Sequence, residues 1–338
     1  MTTAVVLAIL VALAFALTNG FHDAANAIAT LVATRIARPI PAVILAATFN
    51  LIGPFVVGAA VANTTGKIVD LGGTQEIAVI GAGLTGATIW NVITWSRGIP
   101  SSSSHALVGG LVGAALLEAG TGAVRWGPFI DGHLGGVLGI LIVLALAPIV
   151  AGIAAFVVER AALWLVRRAT IRASGPIRSA QWVTSAWLAF SHGSNDAQKT
   201  VGIIAAVLVA AGLIPALEDV PAWAVLACSV SITLGTAFGG WGIVRTIGRR
   251  IFPIHEVDGL VSQATSASLI LAASAVGAPV STTQVVSSSI VGIGVGRRRY
   301  RHVGWTVVRD ILVAWLTTIP AAGIIAALSL PLWRYLAS

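Results

Sequence analysis

Asp23 and Asp196 stand inside stretches of the 338-residue chain that are otherwise apolar or small. A carboxylate in hydrocarbon costs from about 2.5 to more than 10 kcal/mol, so each marks a candidate site for a cation or a proton. They sit in related motifs, Gly20-Phe21-His22-Asp23-Ala24-Ala25-Asn26 and Gly193-Ser194-Asn195-Asp196-Ala197-Gln198-Lys199, at an offset of 173. Capping of a broken helix, or pairing with Lys199, would explain one buried carboxylate. It would not explain why both halves keep Asp beside an imidazole or an amide.

A second pair has the opposite character. Pro100-Ser101-Ser102-Ser103-Ser104-His105 matches Pro279-Val280-Ser281-Thr282-Thr283-Gln284 at an offset of 179. Proline ends a preceding helix and the hydroxyls suit the cap of the next, so each motif predicts a helix N-terminus within the membrane. Such an end offers free N–H groups and about half a positive charge, an anion cradle that needs no arginine. Ser102, Ser103, Ser104, Ser281, Thr282 and Thr283 are its candidate ligands. Small hydroxyl residues also serve helix packing, the role assigned to Ser287-Ser288-Ser289. Two inverted helix ends could hold a tetrahedral oxyanion beside Asp23 and Asp196. Carboxylates next to an anion favour one that carries protons: the P–OH of phosphate donates to a carboxylate, whereas sulfate meets only repulsion.

The elements that position these groups follow from composition. The chain is 57% hydrophobic and 9% charged, where a soluble domain carries about 25% charge, so it reads as an all-α polytopic membrane protein. A β-barrel is excluded because runs such as 135–158 and 311–330 are apolar on every face. Apolar segments at 3–34, 40–62, 76–96, 100–118, 133–158, 182–214, 222–247, 257–275, 280–296 and 305–330 give about ten crossings, built from about twelve helical pieces once broken helices and re-entrant hairpins are allowed. The first and sixth are long and carry polar residues mid-segment, at 19–26 and 191–200.

A net charge of +8 does not indicate nucleic acid, because the basic residues occupy short connections. Arg35 and Arg38; Arg97; Arg160, Arg167, Arg168, Arg172 and Arg178; Arg245, Arg249 and Arg250; and Arg297, Arg298, Arg299 and Arg301 all fall on one side of the ten-crossing count. The positive-inside rule then places both termini outside the cytoplasm and the protein in the plasma (inner) membrane. The N-terminal apolar run lacks the Lys or Arg of a signal peptide and reads as a retained first span. Cys228 has no internal partner and reads as packing.

Glu76 aligns with Glu256 at an offset of 180 and Pro148 with Pro320 at 172, in the same order as the polar motifs. Five crossings per half, an odd number, require opposite insertion. The expected organisation is therefore an inverted repeat of 1–158 and 182–338, joined by a basic cytoplasmic linker at 159–181, the architecture of secondary transporters.

The motifs resemble those of the inorganic phosphate transporter (PiT) family, whose signatures read Gly-x-Asn-Asp-x-x-Asn-Ala and Gly-x-Asn-Asp-x-x-Lys, here Gly20–Ala27 and Gly193–Lys199. Its Ser-Ser-Ser-His and Pro-x-Ser-Thr-Thr-His motifs are similar to Ser102–His105 and Pro279–Gln284. The resemblance covers almost the whole chain. It implies low-affinity phosphate uptake driven by a cation gradient, a fold with broken helices, and a homodimer. By the same resemblance Asp23, Asn26, Asn195 and Asp196 serve ion coupling and would be the ligands of any Na+, while Ser102, Ser103, Ser281, Thr282 and Thr283 hold phosphate; His22 and Lys199, in the same two motifs, are further cation-coupling candidates.

Two positions depart from the pattern. His22 stands where sodium-coupled members have Asn and resembles the proton-coupled branch, so H+ is expected before Na+. Gln284 replaces a His. Glu76, Glu256 and His105 are candidate gating or coupling residues, with ordinary helix-end charge or a satisfied polar group as the alternative. Alternating access is the expected mechanism, with no cofactor beyond the coupling ion and with phosphate, free or as a metal complex, as the substrate. A sulfate transporter of the same fold and an anion channel are the rivals. An enzyme using Ser104 and His105 fails because adjacent helical residues diverge by about 100°.

Overall fold

The computed structural model describes residues 3–127, 129–130, 133–169 and 173–338; Arg172 of the basic set lies outside them. Twelve α-helices carry the described chain: α1 (Thr3–Ala33), α2 (Pro39–Val56), α3 (Ala60–Gly66), α4 (Gly73–Ser96), α5 (Ser103–Ala119), α6 (Gly136–Leu165), α7 (Ser174–Ala210), α8 (Ala222–Phe238), α9 (Trp241–Arg245), α10 (Glu256–Ala275), α11 (Thr282–Gly296) and α12 (Trp305–Ala337). A two-residue strand pair, Phe129–Ile130 with His133–Leu134, and an isolated bridge between Val69 and Val124 are the β-type pairings among these residues. Of the expected linker 159–181, residues 159–165 end α6, Val166–Arg168 form a 3-10 turn and residues 174–181 begin α7.

Among the described residues six helices are long and apolar enough to cross a bilayer, or seven if α8 and its continuation to Arg250, bent by 63°, are counted as one span. α7, α10 and α11 carry polar residues of the centre and are largely covered by neighbouring helices. Helix breaks fall between α2 and α3 and between α8 and α9. The polar stretches at 19–26 and 191–200 stay within continuous helices, α1 and α7, because their small residues keep helical geometry and their polar side chains bond sideways to neighbouring helices.

The two halves exchange partners. α1 packs on α8 as α7 packs on α2, and α12 covers α5 as α6 covers α11. Both α1/α8 and α7/α2 crossings are glycine contacts. A Cβ on Gly20 would lie 2.2 Å from the Ile232 carbonyl oxygen, and one on its repeat mate Gly193 would lie 2.3 Å from that of Asn50. Backbones can approach this closely only without a side chain, the usual device where lipid offers no hydrophobic drive between helices. Gly20→Ala and Gly193→Ala are each expected to lower stability by about 1–3 kcal/mol through overpacking, read as a fall in the thermal midpoint of the purified protein.

Buried apolar residues form two clusters. α1 gives Phe15 and earlier residues to one and Ala25 and later residues to the other; α7 gives Val201–Leu208 to the first and Leu188 and Ala189 to the second. The polar stretches are the layer between. Long apolar side chains of α6 and α12, such as Leu146, Ile153, Leu316 and Leu328, face outward as a lipid belt.

The basic connections gather at one end. The Gly304 N–H donates to the Ile251 carbonyl at 2.8 Å, Arg178 pairs with Glu256 at 3.0 Å, and the Thr34 hydroxyl donates to Gln181 at 3.2 Å. At the opposite end Ala4, Val5, Gly73, Ala210 and Ala337 line one small cavity, so the first and last helices meet there.

Candidate functional site

α4 and α5 form a hairpin entered from the end of the molecule where the termini meet, and α10 and α11 form one entered from the basic end. Their tips meet between the two apolar clusters. The predicted caps are present. Ser102 is extended (φ −113°, ψ 112°) and its Oγ accepts the His105 N–H at 3.2 Å. Ser281 (φ −91°, ψ 110°) accepts the Gln284 N–H at 3.4 Å. Capping occupies the Ser102 and Ser281 oxygens and leaves the first-turn N–H groups of Ser103, Ser104, Thr282 and Thr283 beyond the reach of helical carbonyls.

The carboxylates lie against these tips. Asp23 Oδ2 accepts the Ser103 hydroxyl at 3.1 Å, and Asp196 Oδ2 accepts the Thr282 hydroxyl at 3.3 Å. Ser103 and Thr282 are repeat mates, so each aspartate binds its own half's hairpin in the same way. Each motif then reaches across to the other half. Asn26 Nδ2 donates to Asp23 at 3.1 Å and to Thr283 at 3.0 Å, while Lys199 Nζ donates to Asp196 and to Ser104 at 2.7 Å. Asn26 matches Lys199 and Thr283 matches Ser104. The Thr283 hydroxyl also donates to Asp23. One oxygen of Asp23, one of Asp196 and a ring nitrogen of His192 all lie within 4.8 Å of one another. Each of these side chains is buried.

The imidazoles stand behind this layer. His22 places Nδ1 3.4 Å from Asp23 Oδ1 and Nε2 3.1 Å from the Ser101 hydroxyl and 3.3 Å from that of Thr94. His192 places Nε2 3.0 Å from Asp196 Oδ2 and Nδ1 2.9 Å from Asn50 Oδ1. Asn50 in turn donates to Thr236 at 2.9 Å. His105 turns back onto its own cap, Nδ1 to Ser102 Oγ at 2.7 Å.

Some predicted residues lie elsewhere. Asn195 faces away from the carboxylates, its amide donating to Ser274 at 2.8 Å and to the Ala278 carbonyl at 3.3 Å. Glu76 occupies the first turn of α4, about 27 Å along that helix from Thr94. Glu256 begins α10 at the basic end, held by Ser174 at 2.7 Å and by Arg178. Thr94, Asn50 and Thr236 were missed by sequence reasoning, and Ser101, part of the Pro100–His105 motif, was not among the candidate ligands. A lone Asn in the apolar run 43–56 was the available signal for Asn50; single threonines carry none.

Hard oxygen ligands suit an alkali cation, and the Asp23 carboxylate with the Ser103 and Thr283 hydroxyls bonded to it could supply them; Asn26 turns its Nδ2 toward this group and leaves its Oδ1 buried without a hydrogen-bond partner. In this arrangement cation ligands and an anion cradle share the same hydroxyls.

Comparison with known proteins agrees with this geometry. The chain matches the phosphate transporter family twice, over residues 19–174 and 167–326, once per half. A protein of Rhizobium meliloti (strain 1021), described as a probable low-affinity inorganic phosphate transporter, is 41% identical across 95% of this chain and 93% of its own. One of Bacillus subtilis (strain 168) with the same description is 38% identical across 96% and 95%. A solved structure of a sodium-dependent phosphate transporter superimposes with a TM-score of 0.87 over 99% of this chain and 100% of that one, at 23% identity, and so shares the fold. The chain is therefore a member of the phosphate transporter family, with one signature motif in each of its inverted halves.

Proposed function

We propose that the protein carries inorganic phosphate into the cell across the plasma membrane in symport with a cation, by alternating access. The basic end is the cytoplasmic face and both termini lie outside. The observation that carries this reading is the convergence of two repeat-related helix N-termini and two carboxylates in one buried layer.

Coupling follows from hydrogen-bond supply. A hydroxyl has one proton to donate. Ser103 and Thr283 direct theirs to Asp23, and Thr282 directs its own to Asp196. While Asp23 is bare, phosphate finds those donors engaged and faces carboxylate charge in low dielectric. A proton or sodium ion on Asp23 satisfies the carboxylate, frees the hydroxyls for phosphate oxygens, and removes the repulsion. A half-loaded site retains unpaired charge, so only the empty, internally bonded site and the fully loaded one are cheap to bury. His22, bonded to Asp23, favours H+ as the coupling ion.

The test is radiolabelled phosphate uptake by proteoliposomes under separately imposed pH and sodium gradients. Accumulation driven by an inward proton gradient, undiminished by tenfold excess sulfate, is the expected result. Equal flux with no gradient would favour a channel, and strong competition by sulfate would favour a sulfate carrier.

A further inference from the structure

We infer that Lys199 is a tethered cation filling the position of a second coupling ion, so that the Asp23 half alone takes up a mobile cation. The inference deepens the symport reading above and rests on it.

The Lys199 nitrogen meets three oxygens: a carboxylate of Asp196, the hydroxyl of Ser104 at 2.7 Å and the carbonyl of Val280 at 2.6 Å. Three acceptors require three N–H donors, which only the charged ammonium has. Ser104 Oγ donates its own proton to the Val280 carbonyl at 3.1 Å, which leaves a lone pair for Lys199. Carboxylate, hydroxyl and carbonyl oxygens around one positive charge are the ligand set a sodium ion would use. Lys199 is 1% exposed and therefore stays with these partners.

The other half repeats the oxygens without the charge. Asp23 and Thr283 are the mates of Asp196 and Ser104, and Asn26 holds the position of Lys199. Asn26 donates to both, but an amide brings no net charge, and its Oδ1 is buried without a partner. The ionisable groups beside Asp23 are two imidazoles, His22 at 3.4 Å and a ring nitrogen of His192 within 4.8 Å, with the Asp196 carboxylate also within 4.8 Å. The Asp23 half thus lacks the tethered positive charge that fills the other half covalently.

The experiment counts cations by linkage. Phosphate affinity is measured by calorimetry at several sodium concentrations and several pH values, and the two slopes are summed after subtracting phosphate's own ionisation. Below saturation, a tenfold rise in cation tightens phosphate binding about tenfold if one ion is taken up and about a hundredfold if two are. The unmodified protein is expected to count one, Lys199→Asn two, and Asn26→Lys none. A count of two in the unmodified protein overturns the inference, with or without folded variants, and so does an unchanged count in Lys199→Asn. Failure of the unmodified protein to bind phosphate would instead overturn the transport reading on which this one rests.

Discussion

Asp23→Asn is expected to abolish gradient-driven phosphate accumulation while leaving the protein folded. The substitution keeps size and shape but removes the charge that attracts the cation. It also turns one acceptor oxygen into a donor, facing Ser103, Thr283 and Asn26, which are themselves donors to that carboxylate. A charged ligand to the bound cation contributes about 1.5–3 kcal/mol, so its removal implies about a ten- to hundredfold loss of coupled uptake. Proteoliposome uptake against a phosphate gradient reads the loss, and an unchanged elution profile shows intact folding. Accumulation within about threefold of the unmodified protein would mean that coupling lies elsewhere.

The mate substitution acts on stability instead. Asp196→Asn leaves the buried Lys199 ammonium without its anion, an uncompensated charge that costs about 3–5 kcal/mol. His192, 3.0 Å from the same carboxylate, loses a partner as well. Adding Lys199→Met removes the stranded charge, so the double variant is expected to unfold at a higher temperature than Asp196→Asn alone. If the second change destabilises further, the two residues are not acting as an ion pair.

Most of this arrangement was legible in the sequence because pseudo-symmetry leaves a one-dimensional record. The spacing between the Asp23 and Asp196 motifs, repeated by the proline-linked hydroxyls, announced two inverted halves, and Pro-Ser/Thr chemistry located both helix caps. Bond direction was not legible. Asn195 sits beside Asp196 in sequence, but neighbours on a helix point about 100° apart, and its amide serves Ser274. Glu76 and Glu256 align across the halves, yet each opens a helix far from the tips. Continuity of α1 and α7 was also hidden: polar residues mid-segment suggested interruption, but small residues permit a straight helix when Thr94, Ser101, Asn50 and the hairpin tips absorb the polar groups laterally. The partner swap that joins α1 to α8 depends on Gly20 meeting Gly235, a contact that exists only in three dimensions.

We place phosphate between the two hairpin tips, a position tested most directly by an experimental density map of the lipid-embedded protein at saturating phosphate. The expected result is a tetrahedral peak within hydrogen-bond distance of the Ser103 and Thr282 hydroxyls and the first-turn N–H groups of α5 and α11, with Asp23 on its border. Phosphate density bound elsewhere, with the tips still closed on both carboxylates, would contradict it.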